Sequence, residues 1–139
     1  MKTLRMGFLA AMVLLAGCTM MKPKHTAAPA QRPSQTLLVF FHPWDNALTP
    51  EGKAIVDQAS AKVKETGPTT VAVAGYTDND GSAKDNWRLA RQRVKTVRDA
   101  MVADGVDPKL FLDLPLGTPD DTAGMTGDRR IEIRLTYGN

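Results

Sequence analysis

The chain predicts an α+β fold in the order β-α-β-α-β-β, a two-layer sandwich with two helices packed on one face of a mixed sheet. Three observations carry this. Two stretches, from Pro50 and from Ser82, repeat apolar residues at helical spacing. Dense runs at Thr36–Phe41 and Thr69–Ala74 are rich in strand formers. Near the C-terminus Ile131, Ile133 and Leu135 alternate with Glu132, Arg134 and Thr136, the pattern of a half-buried strand.

The first strand is broken by His42-Pro43-Trp44-Asp45-Asn46. Thr49 then caps a helix that carries Pro50 in its first position, where a missing N–H costs nothing. Ile55, Ala59 and Val63 share its inner face, and Gly67-Pro68 ends it. The second strand leads into Gly75–Arg93, the stretch around which the chain is organised. Asp78-Asn79-Asp80-Gly81 tolerates a tight turn and Ser82 caps the second helix. Trp87, Ala90, Val94, Val97 and Met101 form the apolar stripe of that helix, which Gly105 stops. Leu110–Leu114 is the expected third strand, and Leu116–Asp128, rich in Gly, Pro, Thr and Asp, reads as an exposed loop.

Ahead of the domain lies a targeting segment. Lys2 and Arg5 precede an apolar run of about ten residues, too short for a bilayer span and suited to a secretory signal. The run ends in Leu15-Ala16-Gly17-Cys18, which resembles the lipobox of bacterial lipoproteins; Cys18 is the chain's single cysteine. That resemblance implies a signal peptide over 1–17, a lipidated Cys18 and a flexible tether over 18–35, with a compact domain at 36–139. Thr19 after the cysteine resembles lipoproteins sorted to the outer membrane of Gram-negative bacteria, the domain facing the periplasm. Loss of residues 1–17 leaves 16 cations against 15 anions, so charge gives no argument for a nucleic-acid partner. Pro23, Pro29 and Pro33 favour an extended tether that reaches on the order of 50 Å. His25 within it has no second ligand nearby.

On a helical wheel centred on Ala90, Asn86 and Arg93 fall roughly 40° and 60° to one side of the stripe. Arg88, Arg91, Lys95 and Arg98 belong to a solvated face. An arginine on the shoulder of a core stripe needs partners for its charged fork. Asp78, at the carboxyl end of the preceding strand, is the natural neighbour. Two outcomes are open: Asp78 and Arg93 pair with each other, or they stand apart and clamp a zwitterion, carboxylate to ammonium and guanidinium to carboxylate.

Gly75-Tyr76-Thr77-Asp78, Gly81, Asn86, Leu89 and Arg93 resemble the G-H-T-D-x-x-G…N-x-x-L-S-x-x-R-A signature of OmpA C-terminal-like domains, among them Pal lipoproteins and periplasmic MotB. Phe41…Leu48-Thr49-Pro50-Glu51-Gly52 is similar to the family's F-x-x-x-S-x-x-L-T-P-E-G, and Asp128-Arg129-Arg130-Ile131-Glu132-Ile133 to its N-R-R-V-E-I. The resemblance implies a non-covalent peptidoglycan binder that recognises stem-peptide diaminopimelate. Asp78 would hold its ammonium and Arg93 its carboxylate. Asn86 and Thr77 would assist from the rim, Leu89 would pack beside the ligand, and backbone around Trp44 and Asp45 would close the pocket. Arg130 stands near the site in that topology; its other reading is an ion pair with Asp128 or Asp120. Tyr76, Asp85, Ala90 and Asp128 depart from the family's His, Tyr, Ser and Asn.

The implied partners are peptidoglycan and, through the lipid, the outer membrane; the alternative is a structural lipoprotein that binds another envelope protein. No catalytic set, cofactor or metal is expected. Asp78-x-Asp80-Gly81 lacks the spacing and closing Glu of a calcium loop, and no Cys/His cluster suits zinc. A hydrolase built on Asp78 and Asp80 ranks third.

Overall fold

A computed structural model describes residues 32–119 and 125–138, the side chains of the second stretch from Gly127. The signal and lipidation calls, Cys18, His25 and Asp120 lie outside these residues. The element order is β1 (Gln35–Phe40), α1 (Pro50–Thr66), β2 (Thr70–Tyr76), α2 (Ala83–Ala103), a 3-10 turn (Pro108–Leu110), β3 (Phe111–Gly117), α3 (Met125–Asp128) and β4 (Arg130–Thr136). The sheet runs β1-β4-β2-β3. β4 is antiparallel to both β1 and β2, while β2 and β3 are parallel across α2, so the sheet is mixed as the sequence predicts. Among the described residues no helix is long and apolar enough to cross a membrane.

The period-two pattern of the strands supplies one wall of the core. Val39, Val71, Val73, Ile131, Ile133 and Leu135 are fully buried, against Val56, Ala59 and Val63 of α1 and Val94, Val97 and Met101 of α2. Each such Val, Ile, Leu or Met side chain contributes about 1.5–3 kcal/mol relative to exposure. The opposite sheet face carries a charged ladder on β4, where Arg130 Nε donates to Glu132 Oε1 at 2.9 Å and Arg134 approaches Glu132 Oε2 at 3.6 Å. Thr49 Oγ1 accepts the Gly52 N–H at 3.0 Å, and Gly67 closes α1 with φ 59°.

Three expectations need correction. The third strand starts one residue later and extends to Gly117, because parallel pairing with β2 runs on through Tyr76↔Gly117. Pro115 is tolerated because β3 is an edge strand. The predicted loop 116–128 therefore loses its first two residues to β3 and its last four to α3, where Asp128 is buried. Trp87 does not join the apolar stripe of α2. The first turn of α2 lies over Gly117, which has no side chain to cover an indole, and Trp87 remains 46% exposed with Arg91 5.6 Å from its ring centre.

Candidate functional site

The site lies at the pole where β1, β2 and β3 end and where α1, α2 and β4 begin. Gly75 sets its geometry. A Cβ there would stand 2.8 Å from Val94 Cγ2 and 2.9 Å from the Ala90 carbonyl, so α2 crosses β2 at closest approach on this residue. That contact fixes the polar shoulder of α2, Asn86 and Arg93, beside the end of β2. Thr77 N–H donates to the Gly117 carbonyl at 2.9 Å and carries the strand pairing up to Asp78.

The backbone of Asp78 is held from two sides. Its carbonyl accepts Asn86 Nδ2 at 3.1 Å and Thr118 Oγ1 at 3.3 Å. Its carboxylate accepts from Arg129 Nη1 at 3.0 Å, with both side chains largely shielded. Arg129 is anchored in turn by the bond from Phe41 N–H to its carbonyl, 2.9 Å.

Arg93 is fully buried. Its Nε donates to the Asp45 carbonyl at 2.8 Å, Nη2 to His42 at 3.0 Å and Nη1 to Tyr76 at 3.3 Å, and its guanidinium sits 5.0 Å from the Phe41 ring centre. Burial lowers this guanidinium to about 10; Asp78 works in the opposite sense, and Arg129 adds to the depression. It remains a cation at neutral pH. Of the two arrangements open in the sequence, the direct Asp78–Arg93 pair is not the one found: Asp78 pairs with Arg129, and Arg93 clasps the β1–α1 turn through main-chain oxygens. Two carbonyls of the β1–α1 turn and one at the end of β2 converge here, and a planar fork on the shoulder of α2 satisfies them together.

Of the other predicted residues, Thr77 and Asn86 are buried beside Asp78, and Thr77 Oγ1 and Asn86 Oδ1 have no hydrogen-bond partner among the described residues. Leu89 is 9% exposed and lies outside the main core cluster. Arg130 faces away from the carboxylate of Asp78. Its guanidinium stacks 4.3 Å from the Tyr76 ring centre, bonds the Gly127 carbonyl at 2.9 Å and stands 3.7 Å from Asp128, matching the ion-pair reading. Arg129 is the residue that sequence reasoning passed over. The signal was present: Arg130 shares a sheet face with Glu132 and Arg134, so the preceding residue turns toward the helical side.

An open cleft of about 490 Å³ adjoins the pair, lined among others by Phe40, Phe41, His42, Asp45, Leu48 and Arg129. A larger hollow of about 710 Å³ lies apart from it, between the charged face of α2 and β3. Among the described residues no group of three or more His, Cys, Asp or Glu could hold a metal ion.

The model of the OmpA family matches residues 40–128. This chain belongs to the OmpA family. Among curated relatives, the probable lipoprotein YiaD of Escherichia coli is 33% identical over 104 residues, 70% of this chain and 48% of that protein. Outer membrane protein A of Bordetella avium is 26% identical over 82% of this chain and 62% of its own length. The peptidoglycan-binding protein ArfA of Mycobacterium tuberculosis is 34% identical over 63% of this chain and 28% of its own length. The chain thus spans less than two thirds of each of these relatives.

Solved structures share the fold. The peptidoglycan-associated lipoprotein of Burkholderia pseudomallei superposes with a TM-score of 0.62 at 22% identity, over 69% of this chain and 86% of that one. The OmpA-like domain of FopA1 from Francisella tularensis gives 0.67 at 21%, over 76% and 77%. The OmpA-family fold is the two-helix, four-stranded arrangement described above.

Proposed function

We propose that this OmpA-family domain holds peptidoglycan non-covalently through the diaminopimelate of the stem peptide and, lipid-anchored at Cys18, ties the outer membrane to the cell wall. The observation that carries the reading is the shielded Asp78–Arg129 pair, with the Arg93 cation close behind it and two buried acceptors, Thr77 Oγ1 and Asn86 Oδ1, lacking partners among the described residues. A ligand that brings its own ammonium and carboxylate exchanges with such a pair without leaving a charge unpaired. The ammonium takes the place of Arg129 on Asp78. The ligand carboxylate is taken by the released Arg129 and by the Arg93 guanidinium, which keeps its hold on the turn at 42–45. Thr77 and Asn86 accept further ligand N–H groups, Leu89 packs against the ligand's methylene chain, and Arg130 steadies the rim through Tyr76. No bond is made or broken.

The name of the ArfA relative supports the wall as partner, and that of YiaD supports a lipoprotein. The geometry of the termini suits a bridge. Arg32, just before β1, donates to the Thr66 carbonyl at 3.1 Å and lies 5.9 Å from the Tyr137 ring centre, at the pole opposite Asp78. The membrane tether therefore leaves from one end while the wall is held at the other. Weak single contacts suffice, because anchoring keeps the domain close to many equivalent sites.

A second reading, a lipoprotein that contacts another envelope protein, draws on exposed Leu38 and Phe40 of β1 and Leu112 and Leu116 of β3. Sedimentation with purified sacculi separates the two. Residues 19–139 are expected in the pellet, and the Asp78→Ala form in the supernatant. A wild-type domain that stays in solution would favour the protein partner, and release of soluble muropeptides would point to hydrolysis.

A further inference from the structure

Trp44 stands out in the site's border for its backbone. Among the described residues it is the one non-glycine residue with positive φ, 56°. A bulky aromatic residue in the left-handed region is strained and persists only where its surroundings impose it. Here the imposing group is Arg93. It holds the carbonyls of His42 and Asp45, on either side of Trp44, at 3.0 and 2.8 Å and so locks the turn from within.

The result is an indole turned outward. Trp44 is 59% exposed, more than any other large apolar side chain described. Its six-membered ring lies against Gly81 of the β2–α2 turn, where a Cβ would stand 2.6 Å from Cη2 and 3.4 Å from Cζ3. Gly81 itself has φ 90°. The ring thus spans the two loops that bound Asp78, one of its edges fixed by Gly81, and the rest open to solvent. A strained turn that spends its conformational freedom on exposing a large apolar ring is not accounted for by packing.

We propose that Trp44 is a sugar-stacking platform that extends the site from the charged amino acid of the stem peptide to an N-acetylated amino sugar of the attached glycan. The inference rests on the wall-binding reading given above. A pyranose ring offers one apolar face of C–H groups, ringed by hydroxyl and amide groups. A single rigid indole matches that face at little cost in conformational freedom. Its chain neighbours His42 and Asp45, and Asp80 beside Gly81, are exposed polar residues. A protein partner would instead call for several large apolar side chains buried together, whereas Trp44 is the one large apolar side chain beside His42, Pro43, Asp45 and Asn46.

The test compares two probes on the full chain in detergent: a disaccharide-bearing muropeptide and the same diaminopimelate-containing peptide without sugar. The chain has two tryptophans, so a Trp87→Phe background reports Trp44 emission alone. Binding of the muropeptide is expected to shift that emission, and binding of the free peptide is not. Trp44→Asn, which accepts left-handed backbone more readily, is expected to lower the ratio of muropeptide to peptide affinity about tenfold without lowering the melting temperature. Trp44→Phe should restore most of the ratio. An unchanged ratio in Trp44→Asn, or equal emission shifts with both probes, would overturn the sugar platform while leaving peptide recognition standing. Absence of binding to either probe by the wild type would remove the wall-binding reading and this inference with it.

Discussion

Asp78 and Arg129, 51 positions apart in the chain, meet at 3.0 Å where β2 ends and β4 is about to begin. Their side chains keep only 10% and 13% of their exposure, so each neutralises a charge that water reaches only in part. Substitution of one partner alone strands the other. Asp78→Ala and Arg129→Ala are each expected to cost about 3 kcal/mol, and the double mutant less than their sum, with a coupling of about 1–3 kcal/mol. Urea denaturation of the four proteins measures this. Strict additivity would mean that the pair is not an energetic unit.

Arg93 is expected to behave as a structural residue whether or not it also meets ligand. Arg93→Met leaves the part-buried carbonyls of His42, Asp45 and Tyr76 without their donor, at roughly 1 kcal/mol for each lost bond. A loss near the upper end of single-substitution effects, about 3 kcal/mol, follows. Arg93→Lys should recover only part, because a point ammonium does not span three acceptors. Thermal melts check this. An Arg93→Met protein as stable as wild type that fails only in sacculus binding would make Arg93 a ligand group alone.

At Gly75 the prediction concerns a methyl group. Gly75→Ala puts a Cβ within 3 Å of Val94 Cγ2 and of the Ala90 carbonyl oxygen. The side chain can be trimmed but the backbone cannot. A destabilisation of about 1–3 kcal/mol is expected, with Val94→Ala in the same chain relieving only part of it. Full rescue would show that the helix backbone has room to move.

Thr49 tests the cap of α1. Thr49→Ala removes the acceptor of the Gly52 N–H and is expected to cost about 1 kcal/mol, while Thr49→Ser keeps most of it. Chemical denaturation resolves a difference of that size.

The β1–α1 turn has its own acid dependence. Asp45 Oδ1 accepts the Ala47 N–H at 2.9 Å, and that bond is the first cause of a carboxyl held below the usual 3.8. A depressed acid contributes order that is complete above the unfolded value and lost as pH falls through the lower folded one. The Ala47 amide should therefore stay protected above pH 3.8 and lose protection only below it. Amide shifts followed from pH 5 to pH 2 report this; early loss near pH 5 would contradict it.

Local rules made much of the fold legible. Thr49-Pro50, Gly67 and Ser82 mark the helix ends found in the structure because caps act within a few residues of themselves. The alternation Ile131, Ile133, Leu135 fixed the inner face of β4 for the same reason. Trp87 was misread because a wheel places a residue near a stripe without saying whether anything lies opposite, and opposite its turn lies Gly117. The extension of β3 past Pro115 was hidden because composition marks a turn, whereas pairing with β2 belongs to two strands at once.

What the sequence determined alone was the order of the main elements, most of the core positions and the presence of an acid and an arginine beside one turn. Only the tertiary structure decided that Asp78 takes Arg129, that Arg93 spends its donors on main-chain oxygens, and that Trp44 is held outward in a left-handed turn. Periodicity and capping are short-range, so they can be read along the chain. The partner of a charge is chosen by which groups burial brings within about 3 Å, and that distance joins residues 42, 45, 76, 78, 93 and 129 only after the sheet and α2 have closed on Gly75.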